Sequence, residues 1–152
     1  MISISRVTAT EIPDIEELVH QYRDFYKQPR NEKVKQFLSD RIKDEDAIVF
    51  VANYVEELNI RSVGFALCYP TFSTVSLSSI WLLNDLYVDQ RYRGHGIANS
   101  LMQRVETEAK EFGATRVFLR TAEDNEAAQA LYEKRGWVRD VTFCRYDLVL
   151  PL

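Results

Sequence analysis

The run from Ser76 to Val88 is nearly continuous in apolar residues, and it passes through Asp89-Gln90-Arg91-Tyr92-Arg93-Gly94-His95-Gly96 straight into an amphipathic stretch. A strand apolar on both faces belongs in the interior of a sheet. From Gly94 to Phe112 the residues Ile97, Leu101, Val105, Ala109 and Phe112 recur at helical spacing, and Gly113 supplies a left-handed cap at the end. Arg116 to Thr121 is the next short strand. Strand, helix and strand in succession impose a parallel pair, because the helix carries the chain back to the starting edge.

The preceding segments add antiparallel strands. Residues 2–8 alternate as a first strand, and Ile12, Ile15, Leu18, Val19, Tyr22, Phe25 and Tyr26 form one apolar stripe on a helix. Thr8 or Thr10 can cap that helix, and Pro13 is tolerated in its first turn. Gln28-Pro29-Arg30-Asn31 breaks it, and a second helix over 31–43 presents Val34, Phe37, Leu38 and Ile42. Ala47 to Tyr54, Ser62 to Tyr69 and Ser76 to Val88 read as strands, separated by turns at 56–59 and 70–74. After the parallel strand, a helix from Asn125 to Arg135 is closed by Gly136, and Trp137 to Leu150 is a last strand region. The order β-α-α-β-β-β-α-β-α-β describes an α/β (α+β) domain over 1–152, with helices on both faces of a mixed sheet.

A chain of 152 residues buries enough surface to fold without disulfide or metal. Cys68 and Cys144 lie in apolar stretches, where burial as small hydrophobes is expected; with no CxxC and with His20 and His95 far apart, no metal site is expected. A net charge of −4 argues against nucleic acid as a partner and is compatible with a cationic substrate. No run approaches a membrane span and the N-terminus lacks a signal core, so a cytoplasmic protein with no membrane partner is expected.

The chemistry is concentrated between Leu86 and Ala98. Glycines let a backbone approach a ligand closely, and the free N–H groups and dipole at a helix start favour an anion. With Arg91 and Arg93 beside it, the loop is built as a pyrophosphate cradle, although two glycines before a helix also suit a plain tight turn. A dinucleotide fingerprint is excluded because Asn99 stands where its third small residue belongs, and a Walker loop because Gly-Lys-Ser/Thr is missing.

Arg91-x-x-Gly94-x-Gly96 resembles the coenzyme A pyrophosphate loop, Q/R-x-x-G-x-G/A, of the GCN5-related N-acetyltransferase (GNAT) superfamily. Asn125-x-x-Ala128-x-x-Leu131-Tyr132-x-x-x-Gly136-Trp137 is similar to that family's second element. The resemblance implies a mostly antiparallel mixed sheet of six to seven strands, splayed at the fourth, and acetyl-CoA as cosubstrate. It implies that Leu86, Tyr87 and Val88 meet the pantetheine arm, that Arg91, Arg93, Gly94, His95, Gly96, Ile97, Ala98 and Asn99 surround the pyrophosphate, and that Asn125, Ala128 and Tyr132 complete the cofactor site. Tyr132 would protonate the departing thiolate, against the alternative of an aromatic that merely packs its helix. Asn84-Asp85 stands where polyamine acetyltransferases carry an acidic pair, which makes Asp85 a base or amine binder, with a solvated strand residue as the equal alternative. His95 is expected to be exposed and His20 structural. Tyr22, Phe25 and Tyr26, together with Tyr69 and Phe72 from the loop over 69–74, are placed at the acceptor site, or in the core. Asp24-Phe25-Tyr26 and Asn84 to Asp89 look closest to the yeast histone/polyamine acetyltransferase-like branch, which implies a small-molecule amine substrate and a homodimer. A peptide or protein amino group, another acyl-CoA, or a non-catalytic acetyl-CoA sensor are the competing readings.

Overall fold

Alternation along the strands decides how the sheet is covered. Val49 and Val51 of β2 (Ile48–Glu56) and Phe65 and Leu67 of β3 (Asn59–Ser73) point to one side. There they pack with Ile12, Ile15 and Leu18 of α1 (Ile12–Phe25) and with Val34 and Leu38 of α2 (Val34–Lys43). The intervening residues face α3 (Ile97–Phe112), whose Leu101, Met102 and Val105 are fully buried, and whose Arg104 lies over the Phe50 ring at 5.5 Å. Truncating such a buried leucine to alanine costs ~2–5 kcal/mol, so both faces hold the fold.

The computed structural model describes residues 1–152 in two compact units, Met1–Arg120 and Thr121–Leu152. In the first, β1 (Ile2–Arg6), β2, β3 and β4 (Ser78–Val88) pair antiparallel in sequence order, and β5 (Val117–Phe118) adds a parallel edge through Trp81↔Val117 and Leu82↔Phe118. A single 3-10 turn, Gln90–Tyr92, links β4 to α3. In the second unit α4 (Glu126–Lys134) starts on Asn125, whose side-chain oxygen accepts from the Ala128 N–H at 3.3 Å.

Several expectations need correcting. The sheet has five strands, not six to seven: the region Trp137 to Leu150 contributes no strand to it, and Cys144 within it is exposed rather than buried. An extended segment becomes a strand only when its N–H and C=O groups meet a neighbouring ladder, and alternation cannot supply that neighbour. The parallel strand shrinks to two residues. β3 runs through Pro70 to Ser73, so the expected loop at 70–74 is mostly strand. Pro70 is accommodated because its missing N–H falls where no ladder bond is due: β2 stops pairing at Cys68, and opposite Pro70 the Trp81 N–H turns away to Arg116 O at 2.9 Å. Neither Thr8 nor Thr10 caps α1; instead Glu11 at the cap position accepts from the Thr8 N–H and hydroxyl at 2.7 and 2.9 Å. Phe112 is more exposed than its place in the stripe implies, and its ring rests 5.5 Å from that of Trp81.

Candidate functional site

Between Leu67 and Cys68 the β3–β4 register slips by one residue: Leu67 faces Asp85, Cys68 faces Leu83, and Asn84 is the extra residue. A bulge of this kind reverses which face and which edge the following residues address. Before it, Trp81 turns its side chain to α3. After it, Tyr87 turns to α1, 6.1 Å from the Tyr22 ring and hydrogen-bonded to Gln21 at 3.2 Å. Were β4 regular through Asn84, with no bulge, Trp81, Leu83, Asp85 and Tyr87 would all share one face.

The edge follows the same parity. Asp89 donates its N–H to Val63 O at 2.8 Å and Gly64 stands opposite Val88. In an antiparallel ladder the main-chain groups of Val88 and Leu86 must then point away from β3. On that side β4 has no strand partner beyond Leu82, since β5 pairs only with Trp81 and Leu82. Two residues expected to meet an extended ligand arm therefore turn their backbone away from β3, the Val88 carbonyl being held by Arg93 and the N–H groups facing outward.

Past β4 the chain is tied down from within. Asp89, buried, caps the 3-10 turn by accepting from the Arg91 N–H at 3.0 Å and pairs with the Arg91 guanidinium at 2.6 Å. The Arg91 guanidinium donates the hydrogen bonds that hold the Asp89 carboxyl below the usual carboxylate range. Arg93 donates to Val88 O at 3.0 Å and lies over the Tyr87 ring at 5.5 Å. The exposed His95 places Nδ1 3.0 Å from Arg93 O and 3.1 Å from Tyr92 O. Gly94 and Gly96 take φ of 81° and 74°, left-handed values that delay the start of α3 to Ile97. A Cβ built on either glycine meets nothing within 4 Å, so the space beside the loop is open. The first-turn N–H groups of α3 receive no hydrogen bond partner from the helix itself, and with the helix dipole behind them they suit an anion. The arginines brace the loop, leaving main-chain groups as the principal anion donors.

At the bulge, Asp85 is half-buried. Burial pushes its carboxyl above the usual range, while hydrogen bonds from Tyr22 and Asn84 pull the other way; the Asn84 amide donates to Asp85 Oδ1 at 2.9 Å. Tyr22 Oη also lies 3.5 Å from Asn84 O. Burial and the Asp85 charge push the Tyr22 phenol far up, and the same two causes take Tyr69 and the Cys68 thiol each to about 12. Cys68 is thus a thiol, not a thiolate, at neutral pH, and neither tyrosine is a base. Tyr26 stacks edge-on to Tyr22 at 5.1 Å.

Of the expected acceptor residues, Tyr22 and Tyr69 lie near Asp85, while Tyr26 is exposed and reaches only Tyr22 and Phe25. Phe25 is exposed on α1 against Tyr26, and Phe72 is exposed on β3 opposite Ser79. His20 is buried with Glu16 3.7 Å away, as a structural histidine. In the second unit Asn125 caps α4, and Tyr132 lies one helical turn beyond Ala128 with its ring 6.1 Å from Trp137. Sequence reasoning missed Gly64 and the bracing role of Asp89. A Cβ on Gly64 would sit 2.9 Å from Tyr87 O and 3.4 Å from Ile97 Cγ2 and Leu101 Cδ1, so that glycine lets α3 press onto the strand pair. Its signal was a lone glycine inside an otherwise β-forming run.

The profile of the Acetyltransferase (GNAT) family matches residues 15–137. The uncharacterized N-acetyltransferase YhfO of Bacillus subtilis (strain 168) is 32% identical over 151 residues, which is 99% of each chain. Thialysine N-epsilon-acetyltransferase of Bos taurus is 34% identical over 80 residues, 53% of this chain and 46% of that protein. A crystal structure described as a probable acetyltransferase superposes with a TM-score of 0.89 at 31% identity, over 98% of both chains. The chain belongs to the GNAT family and is an acetyltransferase.

Proposed function

We propose that the protein transfers an acetyl group from acetyl-CoA to the primary amine of a small cationic acceptor, polyamine-like or an amino sugar. The observation that carries this reading is the half-buried Asp85 carboxyl, hydrogen-bonded by Asn84 and flanked by Tyr22 and Tyr69, on the stretch of β4 that β5 does not cover. A carboxylate with aromatic walls suits an ammonium group, through charge and cation–π attraction together. The family member from Bos taurus that acts on thialysine fits the same preference.

The fit to acetyl-CoA rests on the open space at Gly94 and Gly96, the first-turn N–H groups of α3 and the outward backbone of Leu86 and Val88. Acetyl-CoA supplies the thioester carbonyl and a thiol leaving group. Residues Arg91 to Asn99 bind its pyrophosphate, with Asn125 and Ala128 on the pantetheine. Asp85, directly or through water, takes a proton from the ammonium, because an amine near pKa ~10 is mostly protonated and unreactive at neutral pH. The N–H of Leu86 or Val88 donates to the acyl oxygen as negative charge develops there. Tyr132 Oη gives its proton to the leaving sulfur.

Calorimetric titration with acetyl-CoA, followed by thiol-release assays over polyamines, amino sugars and peptide N-termini, tests this. Tight binding with turnover on small cationic amines is expected. Turnover on peptides alone would move the acceptor to a protein amino group, and binding without thiol release for any amine would make the domain a sensor. No binding would remove acetyl-CoA altogether.

A further inference from the structure

Between α1 and the end of β4 runs a chain of side-chain contacts that the acyl-transfer steps above leave unused. Arg30 and Glu17 pair at 2.6 Å. The Glu17 carboxyl is held below the usual range by that arginine first, and by a hydrogen bond from Gln21 among the lesser causes. With its amide N–H group turned to Glu17, Gln21 presents Oε1 to β4, where it accepts from Tyr87 Oη at 3.2 Å. The Arg93 guanidinium lies over the Tyr87 ring, 5.5 Å from its centre, and Arg93 Nε donates to Val88 O at 3.0 Å. The chain therefore runs from helix to strand to loop and back onto the strand.

Its end point matters because the Val88 N–H belongs to the Tyr87–Val88 peptide. On the inner side the ladder with β3 fixes that peptide, through Phe65↔Tyr87 and Gly64↔Val88. On the outer side β5 does not reach it, since β5 pairs only with Trp81 and Leu82. The Tyr87 side chain and the Val88 carbonyl stand on either side of the peptide, and Gln21 and Arg93 hold them. These contacts do the work of a neighbouring strand without engaging the N–H itself. The cradle has its own brace in the Asp89–Arg91 pair at 2.6 Å, which involves neither Gln21 nor Tyr87. Gln21 and Tyr87 are both half-buried, so a phenol that loses Oε1 must turn to find water, and its ring turns with it.

We infer that Gln21 is a positioning residue for acyl transfer: through Tyr87 and Arg93 it fixes the Val88 N–H at the angle that meets the acyl oxygen. This rests on the role proposed above for that N–H. Hydrogen bonds weaken steeply off line, and loss of a whole oxyanion donor costs ~10²–10³ in kcat, so a donor that only tilts forfeits part of that. Coenzyme binding at the cradle does not pass through Gln21, so kcat falls while coenzyme affinity holds.

The test uses the full chain and the amine turned over fastest in the thiol-release panel. Gln21→Met keeps the length of the side chain and removes the acceptor; Tyr87→Phe removes the donor. Each is expected to lower kcat at least threefold, with Kd for free coenzyme A by calorimetry within twofold of wild type. The double variant is expected to stay within twofold of the slower single one, because both changes break one chain. A slower double variant overturns the inference by giving the two residues separate roles, as does a loss below threefold in either single variant. A rise in Kd that matches the fall in kcat overturns it too, since general loosening of the strand would produce that. Wild-type protein that releases thiol with no amine overturns the reading beneath the inference as well; active wild type with an unaffected Gln21→Met overturns the inference alone.

Discussion

Replacing Gly64 by alanine tests whether the cradle depends on close packing behind it. Gly64 needs no left-handed backbone; what it needs is room, since its Cβ would stand 2.9 Å from the main-chain Tyr87 O and 3.4 Å from two side chains of α3. A carbonyl held in the ladder cannot swing aside as a flexible side-chain tip can, so either the β3–β4 pair or α3 must shift. Overpacking of one methyl costs ~1–3 kcal/mol. The smaller entropy of the unfolded alanine chain returns ~0.4–1 kcal/mol. The net loss spans about 0–2.6 kcal/mol and falls in its upper part, because the obstructing atom is a main-chain carbonyl; at ~2–4 °C per kcal/mol, Tm drops by up to about 10 °C in a chain of this size. The displaced groups are the strand ahead of the loop and the first turn of α3, so KM for acetyl-CoA is expected to rise several-fold while KM for the acceptor changes less. Scanning calorimetry and initial rates at fixed acceptor check both. An unchanged or higher Tm would refute the steric reasoning, and a lower Tm with unaltered KM for acetyl-CoA would separate packing from the cradle.

Further outcomes follow from individual groups. Burial raises the Asp85 pKa, so its carboxylate is lost on acidification earlier than an ordinary one; the acid limb of kcat/KM should lie above the usual carboxylate range and vanish in Asp85→Asn, as a pH–rate profile would record. The linkage has the opposite sign: an acid whose pKa is raised by folding stabilises the fold only at low pH and loses that contribution as pH rises through the folded value. Asp85→Asn should therefore melt higher than wild type at neutral pH, with the difference fading in acid. Gly96→Ala forces a side chain into φ 74°, at about 1–2 kcal/mol, and should raise KM for acetyl-CoA more than it lowers kcat. Tyr132→Phe should keep acetyl-CoA affinity by calorimetry but lose at least tenfold in kcat; unchanged turnover would remove Tyr132 from the mechanism.

Helical stripes were legible because burial at period 3.6 leaves its mark on every turn: Ile12, Ile15 and Leu18, or Ile97, Leu101 and Val105, appear in sequence as they do in the core. The glycine loop was legible because left-handed backbone restricts residue choice. The bulge at Asn84 was not, since its signature is a pairing count between two strands, and neither strand alone contains it. The same blindness covers residues 137–150, whose composition reads as a strand although the sheet gains none there. It also explains the overextended parallel strand at 116–121. Pro70 misled in the other direction, because its usual meaning as a break depends on whether an N–H was needed there, and the early end of β2 removes the need.

The bulge and the short β5 act as one device. β5 stops pairing at Leu82, and the extra residue follows two positions later, so β4 changes parity where it loses its neighbour. Had β5 continued, the outward N–H groups of Leu86 and Val88 would be bonded to protein and closed to any ligand. Had β4 been regular through Asn84, those residues would have faced β3 and the Asp85 carboxyl would have faced α3, away from Tyr22. Either change alone would leave the carboxyl and the open edge uncoupled. Together they set a half-buried acid on the α1 face of the same strand that turns its backbone outward, so the proposed acceptor amine and acyl donor would approach one strand from two directions. Deleting Asn84, the extra residue, leaves Leu83 and Asp85 consecutive and every pairing with β3 in place, so both approaches should survive and turnover should fall less than in Asp85→Asn, as initial rates would show.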